Sequence, residues 1–550
     1  MLRKNDKEKE SEDRMRTPYI AEQNGMKVLM VHEKPFIMIA GEAHNSSASN
    51  AKFMETVWDR ADELQLNAVL LPVYWEMIEP REGEFDFSLV DDLIMQAREH
   101  KKKIGFLWFG AWKNAQCYYA PEWVKCDLHR FARAQLEPGV NFKVLENVHG
   151  LAYTTLSAFC EETRKADAKA FANLMEHIYR IDSEENAVVT VQVENETGLL
   201  GGAREHGALA EKLFVEEVPE GLIDHLKACY KELPQEMLHA IADETAIKAG
   251  MNWRELFSEM ADEAFQAYYT ASFVEYVAHA GKKRYDLPMV VNCWLDKGQI
   301  PGKYPTGGPV AKLMPIWKYA APSIDVYCPD IYVPAFLQMC DLYTKDKNPL
   351  YIAECATHSY AGIRELYAIG HYHGMCYSPF GFEDIGHPFT MMQGMLFGMD
   401  TSDELLKTPQ DPTEYAQINA HLNGMMPLLG AAYGTRRLQA SISENGKEEV
   451  LAFQSYDVKV TYESRFLQTQ SGACLVLEMD NYNFYVIVKD CALAFTSTQK
   501  DAPYTDFLSV EEGQFINDQF IMDCRLNGDE ITTMAFEGVH LLKIKLFSYC

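Results

Sequence analysis

Short apolar runs recur along the first part of the chain, and most show little alternation with polar positions. The runs occupy residues 36–41, 67–73, 103–110, 187–195, 289–295, 324–332, 349–355 and 373–382. Nearly continuous apolar character is typical of strands buried on both faces of a parallel sheet. Helix-like stretches separate the runs, such as 52–66, where apolar residues fall at 53, 57, 61 and 64. This alternation predicts βαβ units.

Eight strand–helix units close most economically as a (β/α)8 barrel, and we expect this fold for residues 26–410. A doubly wound open sheet is the alternative. It usually carries a Gly-rich phosphate turn after its first strand, and GEAHNS (41–46) is not such a turn. Two long insertions, 111–175 and 196–286, follow strands three and four. Such loops leave the C-terminal ends of barrel strands, where active sites are built.

The pattern changes near residue 410. A helix-like segment at 412–430 is followed by short runs in which apolar and polar residues alternate, separated by Asn, Asp and Gly. Alternation is typical of antiparallel strands with one solvated face. We therefore expect residues 411–550 to form a smaller antiparallel β-sandwich domain. Residues 1–25 are expected to be a charged N-terminal segment.

Composition and charge narrow the class of protein and its partners. The chain is 47% hydrophobic and 24% charged, which favours a globular protein. With 51 Lys and Arg against 80 Asp and Glu, its formal net charge is −29. Such a surface repels phosphates and anionic lipids, so we expect neither nucleic acid nor membrane partners. The 13 cysteines include no CxxC pair and no secretory signal is evident. We therefore expect a cytoplasmic protein without structural disulfides.

The strongest chemical signal is VQVENETG at residues 191–198, where an apolar strand ends in a polar, acidic cluster. A second carboxylate, Glu354, ends the later run at 349–355. Unpaired buried carboxylates cost several kcal/mol, so a cluster of them is hard to explain as core. Two carboxyls across a pocket can hydrolyse a glycoside, one as proton donor and one as nucleophile. Structural salt bridges are the alternative, and spacing alone leaves both readings open.

VQVENETG resembles the QVENEYG motif of family 35 glycoside hydrolases, the β-galactosidase family. The resemblance spans residues 30–400 and is strongest to the bacterial branch in which one compact β domain follows the barrel. It implies a retaining enzyme with Glu196 as acid/base and Glu354 as nucleophile, without metal or cofactor. Three other segments are similar to the family's blocks on strands one, two and three: FIMIAGEAHN (36–45), PVYWEMIEPREGEFDFSLVDDL (72–93) and FGAWKNAQ (109–116).

The chain departs from the family pattern in three places. Glu76 stands where the family has Asn, Asn114-Ala115-Gln116 replaces Cys-Ala-Glu, and Thr197 replaces the Tyr of ENEYG. Both carboxyls are retained, so we expect hydrolysis, whereas the residues around the sugar differ. Single hydrogen bonds, each worth about 1–3 kcal/mol in a buried site, discriminate between sugar hydroxyls. The sequence therefore leaves galactosides and glucosides open.

Other strand-end residues are candidates for binding the sugar. The resemblance implies that Asn195 holds the sugar 2-hydroxyl. Glu42 ends strand one and would bind hydroxyls, with a structural salt bridge as the alternative. Tyr332 ends strand six and would hydrogen-bond Glu354, with a packed core aromatic as the alternative. Aromatic rings at such positions either stack on sugars or pack in the core. The remaining candidate substrate-binding residues are Tyr74, Trp112, Asn114, Trp294, Phe382 and Glu383.

The leading hypothesis is a retaining, exo-acting β-glycosidase that acts on an oligosaccharide or β-glycoside. Among such enzymes, a β-galactosidase is the favoured one. A β-glucosidase or a transglycosylase on the same barrel is the first alternative, because both share the first half-reaction. A non-catalytic carbohydrate-binding protein is less favoured because both carboxylates are present. The insertions and the β domain offer surface enough for a homo-oligomer.

Overall fold

The computed structural model of the protein describes residues 17–137, 154–241, 243–397, 399, 407–464, 467–526 and 528–550. Residues 1–16, most of the expected charged N-terminal segment, lie outside the described residues, as does part of the first long insertion. The rest of that segment contributes β1 (Tyr19–Gln23) to a three-stranded antiparallel sheet with β2 (Met26–Val31) and β3 (Lys34–Pro35). Asn24 and Gly25 form the tight loop between β1 and β2, and both have a positive φ, as this loop type requires.

Eight parallel strands form a closed barrel in chain order, which confirms the predicted (β/α)8 fold. Each apolar run identified in the sequence overlaps one of these strands. Their residues are buried almost throughout, because side chains fill the barrel and helices cover it. The barrel strands are β4 (Met38–Glu42), β5 (Ala68–Tyr74), β6 (Lys103–Phe109), β7 (Val188–Val193), β8 (Met289–Trp294), β9 (Val326–Ile331), β10 (Tyr351–Cys355) and β11 (Cys376–Pro379).

Helices follow the barrel strands and occur in both long connections, after β6 and after β7. The α-helices are Ala51–Glu63, Trp75–Ile78, Ser88–Glu99, Glu122–Cys126, Glu161–Asp182, Ala208–Phe214, Glu220–Ala228, Gln235–Ile241, Trp253–Phe257, Ala261–Lys282, Met314–Ala320, Phe336–Tyr343, Ala361–Gly370, Met391–Leu396, Pro412–Gly424, Met426–Ala432 and Asp529–Thr533. None of the helices in the described part of the chain combines the length and the apolar character that a bilayer span requires.

The first barrel helix, Ala51–Glu63, shows how the sequence sets a helix and its buried face. The side chain of Asn50 accepts hydrogen bonds from the amides of Lys52 and Phe53 and so caps the helix. Of the expected apolar positions, Val57, Ala61 and Leu64 are buried, whereas Phe53 is exposed and Met54 is buried in its place. The buried stripe within the helix consists of Met54, Val57, Trp58 and Ala61.

The C-terminal part is an antiparallel β domain, as predicted, built on one branched eight-stranded sheet. Its main path runs β12-β17-β18-β21-β19-β20, while β14 pairs with the second half of β18 and β13 pairs with β14. The strands β13 and β14 are thus joined to the main path of the sheet through the long strand β18. The eight strands of this sheet are β12 (Leu438–Ser443), β13 (Glu449–Ala452), β14 (Tyr456–Thr461), β17 (Gly472–Glu478), β18 (Asn483–Ser497), β19 (Tyr504–Ile516), β20 (Gln519–Arg525) and β21 (Ala535–Tyr549). A separate two-stranded sheet is formed by β15 (Glu463–Ser464) and β16 (Leu467–Gln468).

Side chains on β17 alternate between two apolar cores. Cys474 and Val476 face the interior of the β domain. Leu475 and Leu477 face the barrel, where they join a core with the helix Ala361–Gly370. At the end of that helix the approach is close, because a Cβ on Gly370 would lie 2.6 Å from the Cβ of Ala440. The β domain therefore packs directly on the helix that follows barrel strand seven.

This packing makes Leu475 a test of how strongly the β domain is attached. Leu475 is fully buried, so Leu475→Ala should lower the free energy of unfolding by about 2–5 kcal/mol through lost burial and a residual cavity. Leu508→Ala is the matched control, because Leu508 is 55% exposed and its truncation should change stability by less than about 0.5 kcal/mol. Urea unfolding followed by circular dichroism measures both, and equal midpoints for the two variants would contradict this packing.

Candidate active site

Two glutamates face each other across a pocket at the C-terminal mouth of the barrel. Glu196 follows β7 and is 6% exposed, and Glu354 lies on β10 and is 5% exposed. One carboxylate oxygen of each lies within 4.8 Å of the other. The pocket contains about 460 Å³ of unfilled space, including its open mouth. It is lined by Asn45, Lys113, Asn114, Glu196, Trp294, Lys297, Asp330, Tyr332, Glu354, Phe380 and Phe397.

The backbone around Glu196 is held in an unusual conformation. Glu194 and Glu196 have φ angles of 62° and 46°, in the left-handed region that costs a non-Gly residue about 1 kcal/mol or more. Hydrogen bonds compensate for this cost. The amide of Glu196 donates to Oδ1 of Asn292 at 2.8 Å, and the amide of Ala115 donates to the carbonyl of Glu196 at 3.1 Å. The end of strand four is thereby fixed against the loop that follows strand three.

A second buried carboxyl pair supports the same loop from behind. Oε2 of Glu194 accepts from the amide of Trp112 at 2.8 Å, and Asp167 accepts from the amide of Ala111 and from the indole of Trp108. Both carboxyls are fully buried and lie close together, because an added Cβ on Gly110 would lie 2.7 Å from Oε1 of Glu194 and 2.8 Å from Oδ1 of Asp167. Burial, followed by the charge of its neighbour, accordingly raises the pKa of Glu194 well above its ordinary value.

Glu196 lies in surroundings that favour its protonated form. Burial and then the negative charge of Glu354 raise the pKa of Glu196 from its ordinary value to about 7. The positive charge of Lys113, the neighbouring Asp330 carboxyl and a hydrogen bond donated by the Asn114 side chain to Oε2 oppose this rise. A carboxyl with such a pKa can donate a proton near neutral pH and take one back later in a reaction.

Glu354 is held as a hydrogen-bond acceptor. The hydroxyl of Tyr332 donates to Oε2 at 2.8 Å, which is the hydrogen bond expected from the sequence. Nδ2 of Asn292 approaches Oε1 at 3.3 Å. Donors on both oxygens fix the orientation of the carboxylate. The arrangement suits a nucleophile that must approach a reacting carbon from one direction.

Asp330 is the functional candidate that the sequence reading missed. It lies on β9, directly beside Glu354 on β10 and Trp294 on β8 in the strand register. It is 2% exposed and lines the pocket. The available signal was an acidic residue inside the apolar run IDVYCPDIY, two positions before Tyr332 and thus on the same face of the strand. Because Asp330 lies within an apolar segment, the sequence pattern did not mark it as a pocket residue.

Three of the expected substrate-binding residues, Asn114, Trp294 and Tyr332, lie on the pocket wall. Asn195 lies behind the wall, where its Oδ1 accepts from Nζ of Lys113 at 2.9 Å. Glu42 is fully buried close to Glu196, Glu354 and Lys113, and neither of its carboxylate oxygens meets a donor among the described residues. Burial, then the charge of Glu354, raises the pKa of Glu42 well above its ordinary value.

The other four expected residues lie away from the pocket wall, because other contacts occupy them. The hydroxyl of Tyr74 donates to the carbonyl of Asn45 at 2.7 Å. The Trp112 ring packs against Phe273 at a centroid distance of 4.5 Å. The side chain of Phe382 covers Gly41, where an added Cβ would lie 2.6 Å from the ring. Glu383 accepts hydrogen bonds from the amide of His44 and the hydroxyl of Ser47, so it fixes the loop after β4.

Glu196, Asp330 and Glu354 each place one carboxylate oxygen within 4.8 Å of the others, a spacing that a metal ion could span. The surroundings do not fit a metal. Asn114, Asn292 and Tyr332 already donate to these carboxyls. The Lys113 ammonium also acts electrostatically on Glu196 and Asp330 and would repel a cation. The cluster is better described as carboxyls held by donors.

Comparison with known proteins gives limited matches. A family model described as a domain of unknown function (DUF5597) matches residues 415–536, within the C-terminal part. No curated protein matches the chain. A solved β-galactosidase from Bacillus circulans sp. alkalophilus is 11% identical over 92% of this chain and 99% of its own, with a TM-score of 0.45. The exo-β-1,4-mannosidase Op5Man5 from Opitutaceae bacterium strain TAV5 is 13% identical over 72% of this chain and 61% of its own, with a TM-score of 0.40. Likenesses at this level carry no argument on function.

The loop carrying Asn114 depends on Gly110. A Cβ at Gly110 would lie 2.3 Å from Nε1 of Trp108 and 2.7 Å from Oε1 of Glu194. Gly110→Ala should therefore break the buried carboxyl pair, lower the free energy of unfolding by about 1–3 kcal/mol and reduce activity. Gly207→Ala is the control, because its Cβ would meet only Gln135 at 3.9 Å. Urea unfolding of both variants measures the change in the free energy of unfolding. A Gly110→Ala variant as stable as the wild type would refute the steric argument.

Proposed function

We propose that this protein is a retaining, exo-acting β-glycosidase, with β-galactosides as its preferred substrates. The observation that carries the proposal is the pair Glu196 and Glu354. They are buried across one pocket, and one is biased toward its acid form while the other is held by donors. Two carboxyls in unequal environments are the arrangement that glycoside hydrolysis requires.

In the proposed mechanism Glu354 attacks the anomeric carbon while Glu196 gives its proton to the leaving oxygen. The bond between the anomeric carbon and that oxygen breaks, and a covalent glycosyl-enzyme forms on Glu354. Glu196, now ionised, takes a proton from a water molecule that attacks the same carbon and releases Glu354. Two inversions return the original anomeric configuration.

The distance between the carboxyls supports retention. Retaining enzymes hold the two groups about 5–5.5 Å apart, whereas inverting enzymes need about 6.5–9.5 Å to admit a water molecule. In this pocket the nearest oxygens lie within 4.8 Å. A water molecule between the groups would have little room, so direct attack by Glu354 is favoured.

The aromatic wall supports an exo-acting pocket for one terminal sugar. The Tyr332 ring stacks on Phe397 at a centroid distance of 5.0 Å, and Phe397 meets Phe380 edge-on at 5.6 Å. Trp294 completes the apolar lining. Rings of this kind bind the apolar face of a pyranose.

The polar residues of the strand-three loop keep β-glucosides open as a second substrate class. Gln116 stands where the resembling family carries Glu, but its side chain bonds Thr154 and Thr155 and does not line the pocket. Asn114 is engaged by Glu196. Few side chains in this loop are thus free to discriminate between axial and equatorial hydroxyls. A transglycosylase differs only in the acceptor of the second step.

A panel of 4-nitrophenyl β-glycosides tests the proposal directly. We expect hydrolysis of the β-galactoside, with turnover of the β-glucoside as the measure of specificity and no turnover of the α-anomers, because retention on this pocket fixes one face of attack. The anomer first released, followed by NMR, should be β. Products formed in excess sugar acceptor separate hydrolysis from transglycosylation. An α-product, or inactivity on every glycoside, would reject the proposed mechanism or function.

Substitution of the two carboxyls should give opposite signatures. Glu196→Ala should slow substrates with poor leaving groups by about 10²–10⁴-fold, because protonation is lost. Dinitrophenyl glycosides need little protonation, so their covalent intermediate should form and accumulate, and azide should release it as the β-glycosyl azide. Glu354→Ala should lose the reaction with every leaving group, and azide should attack directly and give the α-azide. Exchanged products would exchange the two roles, and full activity in both variants would place the site elsewhere.

A further inference from the structure

The residues that line the pocket divide by burial into a floor and a rim. The floor holds the carboxyls of Glu196, Asp330 and Glu354, which are at most 6% exposed. An exo-acting enzyme holds the terminal sugar against its catalytic carboxyls, so the leaving group must extend past the rim. Six lining residues are half-buried and form this rim: Asn45, Asn114, Trp294, Lys297, Tyr332 and Phe397.

Lys297 is the one charged residue among these six rim residues. Its ammonium donates to the carbonyl oxygen of Phe397 at 3.3 Å. Lys297 follows β8 and Phe397 follows β11, and two other barrel strands separate their loops. The contact therefore joins two loops at the pocket mouth and holds the ammonium there. An ammonium carries three hydrogens, so it can bond more than one acceptor at the same time.

The backbone at Lys297 is held in a conformation that lysine rarely adopts. Lys297 and Gly298 have φ angles of 50° and 69°. The amide of Gln299 donates to the carbonyl of Asp296 at 2.8 Å and closes the turn. Positive φ at both central residues is typical of a type I′ turn, which Asn, Asp and Gly form at lower cost than Lys. Strain of this kind is common at functional sites, which supports a role for the Lys297 side chain.

Hydrogen bonds hold the loop of Lys297 next to the segment that follows Glu196. Leu199 in that segment and Thr306 in the loop after β8 exchange two backbone hydrogen bonds of 2.9 Å. Burial lowers the pKa of Lys297 below its ordinary value, and the negative charge of Glu196 opposes this change. The ammonium is thus placed on the side of the pocket where Glu196 would give its proton to the leaving oxygen.

We propose that Lys297 binds the leaving group, and that this group is a neutral sugar whose hydroxyl oxygens accept hydrogen bonds from the ammonium. The inference rests on the proposed function and deepens it, because it names an oligosaccharide as the substrate class in place of an alkyl or aryl glycoside.

The chemistry of the pocket favours a neutral sugar over other leaving groups. A sugar hydroxyl can accept from an ammonium, and such a charge-assisted hydrogen bond is stronger than one between neutral groups. An alkyl or phenyl group offers no acceptor beyond the glycosidic oxygen. An anionic leaving group would be repelled by the carboxyls of the floor, in a chain whose formal net charge is −29.

Lys297→Met tests the proposal, because it removes the ammonium and keeps an unbranched side chain. The substrates are a β-linked disaccharide and the phenyl β-glycoside of the same terminal sugar. Both leaving groups need protonation by Glu196, so any change in the acid affects both substrates alike. We expect kcat/KM for the disaccharide to fall about 10–100-fold, and its ratio to kcat/KM for the phenyl glycoside to fall about fivefold or more. An unchanged ratio, whether both rates are kept or both are lost, would overturn the proposal.

Lys303→Met is the matched control. Lys303 is an exposed residue of the same loop and does not line the pocket, so its loss should leave the ratio unchanged. An equal fall in this variant would show that the charge of the loop produces the effect, and it would overturn the contact assigned to Lys297. Lys297→Asn should reproduce the fall, because Asn adopts a positive φ readily, and it provides the test if the Met variant does not fold.

A binding measurement separates this proposal from the proposed function. Saturation-transfer difference NMR of the disaccharide with Glu354→Ala protein reports which sugar ring contacts the protein, without turnover. Adding Lys297→Met should reduce the transfer to the leaving sugar and keep the transfer to the terminal sugar. Unchanged transfer, or an equal loss from both rings, would overturn the contact even in an active glycosidase. A selective loss in a protein inactive on every glycoside would reject the function and keep Lys297 as a sugar-binding residue.

Discussion

Carboxyl groups outnumber cations in the buried mouth of this barrel, and the rest of the site is arranged around that imbalance. Glu42, Glu196, Asp330 and Glu354 lie together, and Lys113 acts on three of them. In a low-dielectric pocket the excess charge must be removed by protons or neutralised by donors. Donors from Asn114, Asn292 and Tyr332 contact Glu196, Asp330 and Glu354 and neutralise part of this charge. The proposed division of roles between acid and nucleophile follows from this distribution.

Asn292 and the positive-φ backbone of Glu194 and Glu196 act together at the end of β7. A regular strand would carry Glu196 past the pocket, whereas the left-handed residues Glu194 and Glu196 turn the chain at the end of β7. The turn exposes the amide of Glu196, and the Asn292 side chain accepts it. The same asparagine donates to Asp330 on the next strand. One side chain therefore stabilises the strained backbone and aligns the carboxyls.

The sequence predicted strands and site residues well where a segment is buried on both faces. It predicted them less well where the role of a residue depends on the neighbouring strands. Continuous apolar runs located all eight barrel strands, since both faces of such strands are buried. The acidic strand ends at Glu196 and Glu354 were visible because charge interrupts an apolar run. Asp330 was not, because a lone acid inside a strand reveals its role only when the neighbouring strands are in register with it. Tyr74 and Trp112 show the converse limit, since an aromatic residue at a strand end packs in the core as readily as it lines a pocket.

The packing of the β domain also affects the position of the pocket carboxyls. The domain covers the helix Ala361–Gly370, which directly follows the strand that carries Glu354. Near the start of that helix Arg364 is 4% exposed and bonds both Glu444 and His358, so an ion pair also joins the two parts of the chain. Strands and helices in a close-packed interior move together, because no free volume allows one to shift alone. The position of Glu354 relative to Tyr332 and Asn292 therefore depends on a core to which the β domain contributes, even though no residue of that domain lines the described pocket.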